Sequence, residues 1–555
     1  MTIHRKNISA QCGARTGIGP SGDDRHFDIF SNSAESLGRS GTRSSNNSRG
    51  ALSLPDHSSK ALDHSAEHGP RHRLLHGQSR LNPRKHLRIL KFGGTSVGNA
   101  PAIEQVVEIV RSSSLEFTSV VVVSAMNGVT NNLLEAATAS AVADREKVSL
   151  IFKDLHKRHD AAASELIHSS GERNRIGDKM GELLQEGERI CRGIMHLRQL
   201  TPQTRDSVLS IGEQLSAFLV AAALAERGVP SVAIDATEIV VTDEHHGSAE
   251  PLMEPTRERC DARINPLLQQ GVIPVVTGFI GATLQGAITT LGRGSSDFSA
   301  TILGAALDAH EVVIWTDVDG VLSADPSMVP GACSIPEMSY HEAAELAHFG
   351  ARVMHPKIFI PLQKSGIPLW VRNTFAPARP GTKITPAGHS CAEVALAVTV
   401  KTDVALVMVG GLSNPVAPDA LQRIFATAAA IQSEVLLISQ SSSQSEVRFV
   451  IPAASAGDTV EALQREFAGE PGQQNLGHIT FDPCVTLITL VGQNMSAASG
   501  LSARTFRALA RENISIIAIA NGSSESNLSF LVARKDMQAA LVAAHDSFQP
   551  NNLNP

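Results

Sequence analysis

The chain predicts an α/β fold: an open, mostly parallel sheet sandwiched by helices, followed by two smaller α+β units. Three observations carry this reading. Short β-branched runs at 87–90, 119–123, 231–234, 272–276, 311–315 and 369–371 alternate with amphipathic helical stretches. Several of these runs are apolar throughout, as expected of strands buried on both faces of a parallel sheet. After Gly388 a strand–helix–strand pattern of about 80 residues occurs twice.

Bulk properties bound the function. At ~150 residues per domain, 555 residues make roughly three or four domains. The 42% hydrophobic content is ample for a core without metal or disulfide staples. A net charge of −7 and 4% aromatic residues argue against nucleic acid as a partner. Six cysteines lie far apart with no C-x-x-C pair, which predicts a reduced compartment and a cytoplasmic location. No apolar run approaches the ~18 residues of a membrane span, and no signal-type apolar region opens the chain.

Residues 1–85 are rich in Ser, Asn, Gly, Arg and His without hydrophobic periodicity, which predicts a disordered extension. A transit-type leader fits less well, because Asp23, Asp24, Asp28, Asp56 and Asp63 lie within it. The α/β domain is expected over 86–388, with the repeat units over 394–470 and 478–550. In the first domain a strand delivers Lys91 and Phe92 to the Gly93–Gly94 turn, and helical spacing begins at Ile103. Glycines let backbone N–H groups approach an anion, and a helix N-terminus adds partial positive charge. Alone, this is as consistent with an ordinary tight turn as with a phosphate site.

Four further segments place polar groups at strand ends or helix starts. The run 120–123 ends in Ser124 and a small-residue turn leading to Thr130. Gly212-Glu213 reads as a helix start beside a cleft, with Leu215, Phe218, Leu219 and Ala222 as the apolar face. Gly292-Arg-Gly-Ser-Ser-Asp297 sets Arg293 between glycines and Ser296 and Asp297 at a helix N-terminus, where capping alone is the plainer role. Thr316 and Asp317 follow an apolar strand at its carboxyl end, where open α/β sheets bind ligands. Such an inventory suits phosphoryl transfer to an anionic acceptor, which depends on charge neutralisation and positioning.

Together these segments resemble aspartokinase, a family of kinases opening the route to lysine, threonine and methionine. The carriers are Lys91-Phe-Gly-Gly-Thr-Ser-Val97, Ser124-Ala-Met-Asn-Gly-Val-Thr130, Gly212-Glu213, Gly292–Asp297, Trp315-Thr-Asp-Val-Asp-Gly320, Phe349-Gly-Ala-Arg-Val-Met-His-Pro356 and Gly522-Ser-Ser-Glu-Ser526. The resemblance spans about 87–545. It implies an eight-stranded amino-acid-kinase domain followed by two ACT domains, and MgATP as substrate with the metal carried by the nucleotide. It also implies L-aspartate as acceptor, 4-phospho-L-aspartate as product and feedback by lysine or threonine.

Roles carry over by motif. Lys91 with the 92–94 backbone would hold the phosphate in transfer, and Asp297 would organise Lys91. Thr130, Glu213, Arg293 and Ser296 would bind aspartate: Glu213 its ammonium, Arg293 a carboxylate. Ser124, Thr316, Asp317 and Arg352 would contact the nucleotide. Asn521, Ser523 and Ser524 would contact the effector, at an ACT pair that joins a homodimer or larger homo-oligomer.

Three departures from the family pattern stand out. Arg352 replaces a common Lys, Leu322 and Ser327 replace a Tyr and an Arg found in some members, and the loop 410–415 lacks the usual Gly-Met. The ACT region is most like that of forms fused to homoserine dehydrogenase, yet no Gly-x-Gly-x-x-Gly unit follows, so a monofunctional kinase is expected. The competing readings are a kinase of the same fold acting on glutamate, acetylglutamate or a nucleotide, and a catalytically inactive amino-acid sensor. His341, Glu342, Glu345 and His348 imitate zinc ligands with broken spacing and are expected on a solvated helix face.

Overall fold

The computed structural model describes residues 86–292, 294–350, 354–388, 397–410, 418–440, 446–468, 479–493, 495, 500–521 and 526–548. Strand β1 (Leu87–Phe92) is apolar apart from Arg88 and Lys91. Asn99 caps α1 (Ala100–Ser113), its side chain accepting the Ala102 N–H at 3.0 Å. The helix thus begins six residues after Gly94, with its own cap, instead of directly from the glycine turn. Strand β2 (Thr118–Val123) leads into α2 (Val129–Ala141), α3 (Arg145–Leu166) and α4 (Ser170–Leu197), the long helical stretch the sequence implies.

Helix α5 (Pro202–Glu226) begins with a reciprocal Thr201/Thr204 capping box and Pro202 in its first turn. Glu213 therefore lies about three turns inside this helix, not at its start as Gly212-Glu213 implied. Gly212 is a packing glycine: a Cβ there would sit 2.9 Å from Ala125 Cβ. Helix α5 is also long and apolar enough by composition to cross a membrane, but 83% of that stretch is buried inside the domain. The domain continues with β3 (Ser231–Ile234), β4 (Val241–Thr242), α6 (Met253–Arg263), α7 (Asn265–Gln269), β5 (Ile273–Thr277), β6 (Ile280–Thr283) and β7 (Ile288–Thr290). It closes with α8 (Ser296–Ala306), β8 (Glu311–Thr316), β9 (Glu337–Ser339), α9 (Tyr340–His348), α10 (Phe359–Ser365), β10 (Leu369–Asn373) and β11 (Thr382–Thr385).

Eight strands form one sheet in the order β3-β5-β2-β1-β8-β10-β11-β9. All neighbours run parallel except β10 and β11. The chain steps one way from β1 to β2 and returns on its other side as β8. This reversal opens a crevice at the carboxyl end of β1, the place where such sheets bind ligands. Lys91 is in register with Val122 on one side and Ile314 on the other.

The C-terminal units contain β12 (Ala397–Lys401), β13 (Val404–Gly410), α11 (Pro418–Ala430), β14 (Leu437–Gln440), β15 (Glu446–Pro452) and α12 (Ala456–Glu466). They continue with β16 (Ile479–Asp482), β17 (Val485–Val491), α13 (Leu501–Arg511), β18 (Ile516–Asn521), β19 (Asn527–Ala533) and α14 (Met537–Asp546). The two sheets exchange strands. Their orders are β14-β15-β13-β16 and β12-β17-β19-β18, so β12 joins the second sheet and β16 the first. A single cut at 470–478 therefore does not separate the units. The first is nested within the second.

Helix α9 corrects the solvated-face expectation for Glu342 and Glu345, whereas His341 and His348 are exposed as expected. Glu342 is buried, its Oε2 accepting the Ser339 N–H and hydroxyl at 2.7 Å each and Gln493 Nε2 at 3.3 Å. Asn527 donates to Glu345 Oε2. Both partners belong to the second C-terminal unit, so α9 is a contact between domains.

Candidate functional site

The site assembles at the carboxyl ends of β1, β2, β5 and β8. Lys91 is nine-tenths buried, and its Nζ lies 2.6 Å from Asp297 Oδ1 in the first turn of α8. The contact is ionic without hydrogen-bond alignment at that oxygen, and an ammonium carries three donors, enough for a second anion. A Cβ on Gly93 would approach Lys91 Nζ to 3.5 Å, and one on Gly94 would lie 3.0 Å from Ala125 O. Glycines therefore keep both the lysine head and the neighbouring turn accessible. The turn itself is fixed: Gly93 N–H donates to Trp315 O at 3.2 Å and Asn127 N–H to Gly94 O at 3.0 Å.

Glu213 closes one wall. It is 3% exposed; Oε1 accepts the Ala125 N–H at 3.2 Å, and Oε2 has no hydrogen-bond partner among the described residues. Burial pushes its carboxyl up to about 8, against the backbone N–H groups and the Lys91 charge that favour ionisation. An unsatisfied buried carboxylate oxygen is a ready acceptor for an ammonium group. Thr130 is half-buried in the first turn of α2, beside Val129, whose Cγ1 would lie 3.3 Å from a Cβ on Gly212.

Ser296 is held by a turn that sequence reasoning missed. Gly278 N–H donates to Val123 O at 2.8 Å, and a Cβ on Gly278 would lie 2.7 Å from Ser296 Cβ. Phe279 follows with φ 69°, unfavourable for a bulky residue, and its N–H donates to Ser299 Oγ at 2.8 Å. Also missed was Asp206, fully buried on α5. Its carboxylate accepts from Gly247 N–H (2.8 Å), Thr290 N–H (3.1 Å) and Thr290 Oγ1 (2.9 Å), with His246 Nδ1 at 3.2 Å. It ties the 243–251 loop to the strand that precedes Gly292. The glycine after an apolar run was a legible signal for the first; nothing local marks the second.

On the opposite wall Thr316 Oγ1 donates to Asp317 Oδ1 at 3.2 Å, and Thr374 N–H donates to Thr316 O at 2.8 Å. Ser124 is half-buried just past β2, its N–H bonded to Phe92 O at 3.1 Å. The Phe92 side chain is fully buried and stacked on Trp315, so only its backbone borders the site. Leu322 forms a bridge with Ser334, and Ser327 bonds Asp325 Oδ1 through N–H (2.9 Å) and hydroxyl (2.6 Å). Arg293, Arg352, Ser523, Ser524 and the Asn521 side chain lie outside the described residues.

Comparison with known proteins agrees with this geometry. Residues 86–373 match the amino acid kinase family and residues 488–548 an ACT domain. Aspartokinase 1, chloroplastic, of Arabidopsis thaliana is 31% identical over 479 residues, covering 83% of this chain and 80% of that protein. The bifunctional aspartokinase/homoserine dehydrogenase 1, chloroplastic, of the same plant is 34% identical over 88% of this chain. The chain spans about half the length of such bifunctional relatives, 53% in that case. Among solved structures, E. coli aspartokinase III in complex with aspartate and ADP superposes with a TM-score of 0.71 at 29% identity, covering 83% of this chain and 99% of that one. Its complex with lysine and aspartate gives 0.68 at 28%, with the same coverage. The chain belongs to the amino acid kinase family and, within it, to the aspartokinases.

Proposed function

We propose that this chain transfers the γ-phosphoryl group of MgATP to the side-chain carboxylate of L-aspartate, giving ADP and 4-phospho-L-aspartate. The Lys91–Asp297 ion pair beside the glycine turn carries the reading. The acceptor carboxylate is ionised at neutral pH, so no general base is needed. One carboxylate oxygen attacks the γ-phosphorus, the bond to the β–γ bridging oxygen breaks, and ADP leaves with that electron pair. The difficulty is repulsion between anions, which Lys91 offsets; the Gly93 N–H is already bonded to Trp315 O, which leaves the Gly94 N–H of the turn to add to it. Asp297 holds Lys91 in place. Mg²⁺ arrives with the nucleotide and neutralises its phosphates.

Glu213 would take the aspartate ammonium, with Thr130, Ser296 and Arg293 on its carboxylates and Ser124, Thr316, Asp317 and Arg352 at the nucleotide. Related E. coli aspartokinase III was solved with aspartate, ADP and lysine, which supports these ligands and an amino-acid effector here. Lysine or threonine would act through the ACT pair, with Asn521, Ser523 and Ser524 as contacts, in a cytoplasmic homodimer or larger homo-oligomer. Incubating the chain with MgATP and aspartate, glutamate, acetylglutamate or a nucleoside monophosphate tests the acceptor. ADP release fastest with aspartate supports the reading; preference for another acceptor, or nucleotide-independent effector binding alone, overturns it.

A further inference from the structure

The helix-covered face of the central sheet carries a cavity of about 430 Å³ with a mixed apolar and polar lining. It lies between α1 and strands β1, β8 and β10, on the face of the sheet opposite Lys91. Arg88, Trp315 and Arg372 line it, with Ser112 and Ser113 of α1. Arg372 and Trp315 are register partners in adjacent parallel strands, so their side chains emerge together on this face.

Three arginines (Arg88, Arg111, Arg372) and three glutamates (Glu108, Glu116, Glu311) meet here, but they are unevenly paired. Arg88 is occupied: its Nε and Nη2 each lie 2.5 Å from Glu311 Oε1, its Nη1 is 3.3 Å from Ser113 Oγ, and it stacks on Phe117. The other oxygen of Glu311 accepts Trp370 Nε1 at 3.0 Å. One carboxylate thus serves one guanidinium and an indole, while the second guanidinium rests over the Trp370 ring, 4.8 Å from its centroid. The Nε of Arg372 is buried with no hydrogen-bond partner among the described residues. So is the indole Nε1 of Trp315, a residue 95% buried. Burial, and then the nearby Arg88 charge, lower the Arg372 pKa, while the Glu311 carboxylate acts in the opposite direction. Two carboxylates also line the cavity: Glu108, paired with Arg111 at 2.6 Å, and the exposed Glu116.

We propose that this cavity is a second ligand site that binds a small oxyanion, a carboxylate or phosphate group held by the Arg372 fork and the Trp315 indole N–H. A guanidinium matches either group in a forked geometry, and the indole supplies one further donor. The backbone of Trp315 also holds Gly93 and Ser96 of the phosphate turn, so the two sites share a residue and must be separated by experiment.

The chain's two tryptophans, Trp315 and Trp370, both flank Arg372, which makes intrinsic fluorescence the readout. The full chain is titrated with succinate or inorganic phosphate at ionic strength held constant with sodium chloride. The expected result is a saturable emission change with a dissociation constant near ~1 mM, retained in Lys91→Ala and lost in Arg372→Gln. Arg372→Lys, which keeps charge without the fork, should bind about tenfold more weakly and serves if Arg372→Gln fails to fold. Tighter binding of succinate or of phosphate identifies the source of the oxyanion. No saturable change with either, a response surviving unaltered in both Arg372 variants, or one abolished by Lys91→Ala overturns the proposal.

Discussion

Glu213 carries the most specific chemistry of any single side chain. It is buried, half-satisfied and raised from 4.5 to about 8, so near neutral pH it holds a proton until a cation arrives. In the proposed reaction aspartate affinity therefore improves as pH rises through about 8. Glu213→Gln should raise KM for aspartate by about 10–100-fold and flatten that pH dependence; steady-state kinetics across pH 6–9 checks both. Stability has the opposite sign. A carboxyl whose folded pKa lies above its unfolded value favours the fold at low pH, and that contribution is lost as pH rises from 4.5 through about 8. Glu213→Gln should remove this loss, seen as a flatter pH dependence of the denaturation midpoint. Lys91 differs in kind: in the proposed reaction it is a charge for the phosphate in flight, so Lys91→Ala should cut kcat by about 10²–10³-fold while calorimetry shows aspartate still bound.

Elements set the geometry at the ångström scale, and the tightest case is the turn after β5. Gly278→Ala would drive a methyl to 2.7 Å from Ser296 Cβ and 3.0 Å from Val123 O. The expected cost is ~1–3 kcal/mol in denaturant unfolding, with a raised KM for aspartate as the start of α8 shifts. The strands of the sheet were legible in the sequence because short apolar runs are local signals; this turn was missed, although a glycine after such a run marks it. The Lys91–Asp297 partnership was legible only through the family resemblance, since 206 positions separate the two and no local rule joins them. Glu213 was misplaced for a physical reason. The helix start depends on the polar Thr201/Thr204 box, whereas Gly212 resembles a boundary and serves close packing against Ala125. Strand exchange between β12 and β16 was illegible because each sheet choice is a non-local pairing.

At the scale of the whole molecule, the second C-terminal unit grips the catalytic domain on two sides. Gln493 and Asn527 bond the buried face of α9, and His545 of α14 meets Ser323 Oγ at 2.9 Å. Ser323 lies three residues past Gly320 in the segment following Thr316 and Asp317, and its carbonyl accepts the Val398 N–H of β12 at 2.8 Å. An effector that moves the second sheet would therefore displace the backbone next to the proposed nucleotide contacts. Coupling of this kind is typically ~1–3 kcal/mol, so Asn527→Ala should shift the inhibition midpoint for lysine or threonine about 5–150-fold with little change in KM for aspartate. Inhibition curves for each amino acid check this. The central claim, carboxylate attack on phosphorus at the Lys91 turn, is tested most directly by isotope transfer. Aspartate labelled with ¹⁸O in its side-chain carboxylate is turned over with MgATP, and hydroxylamine traps the acyl phosphate by attack at carbon. Phosphorus NMR of the released phosphate should show one ¹⁸O in the wild-type reaction and almost no product with Lys91→Ala. Unlabelled phosphate from the wild-type chain would contradict the account.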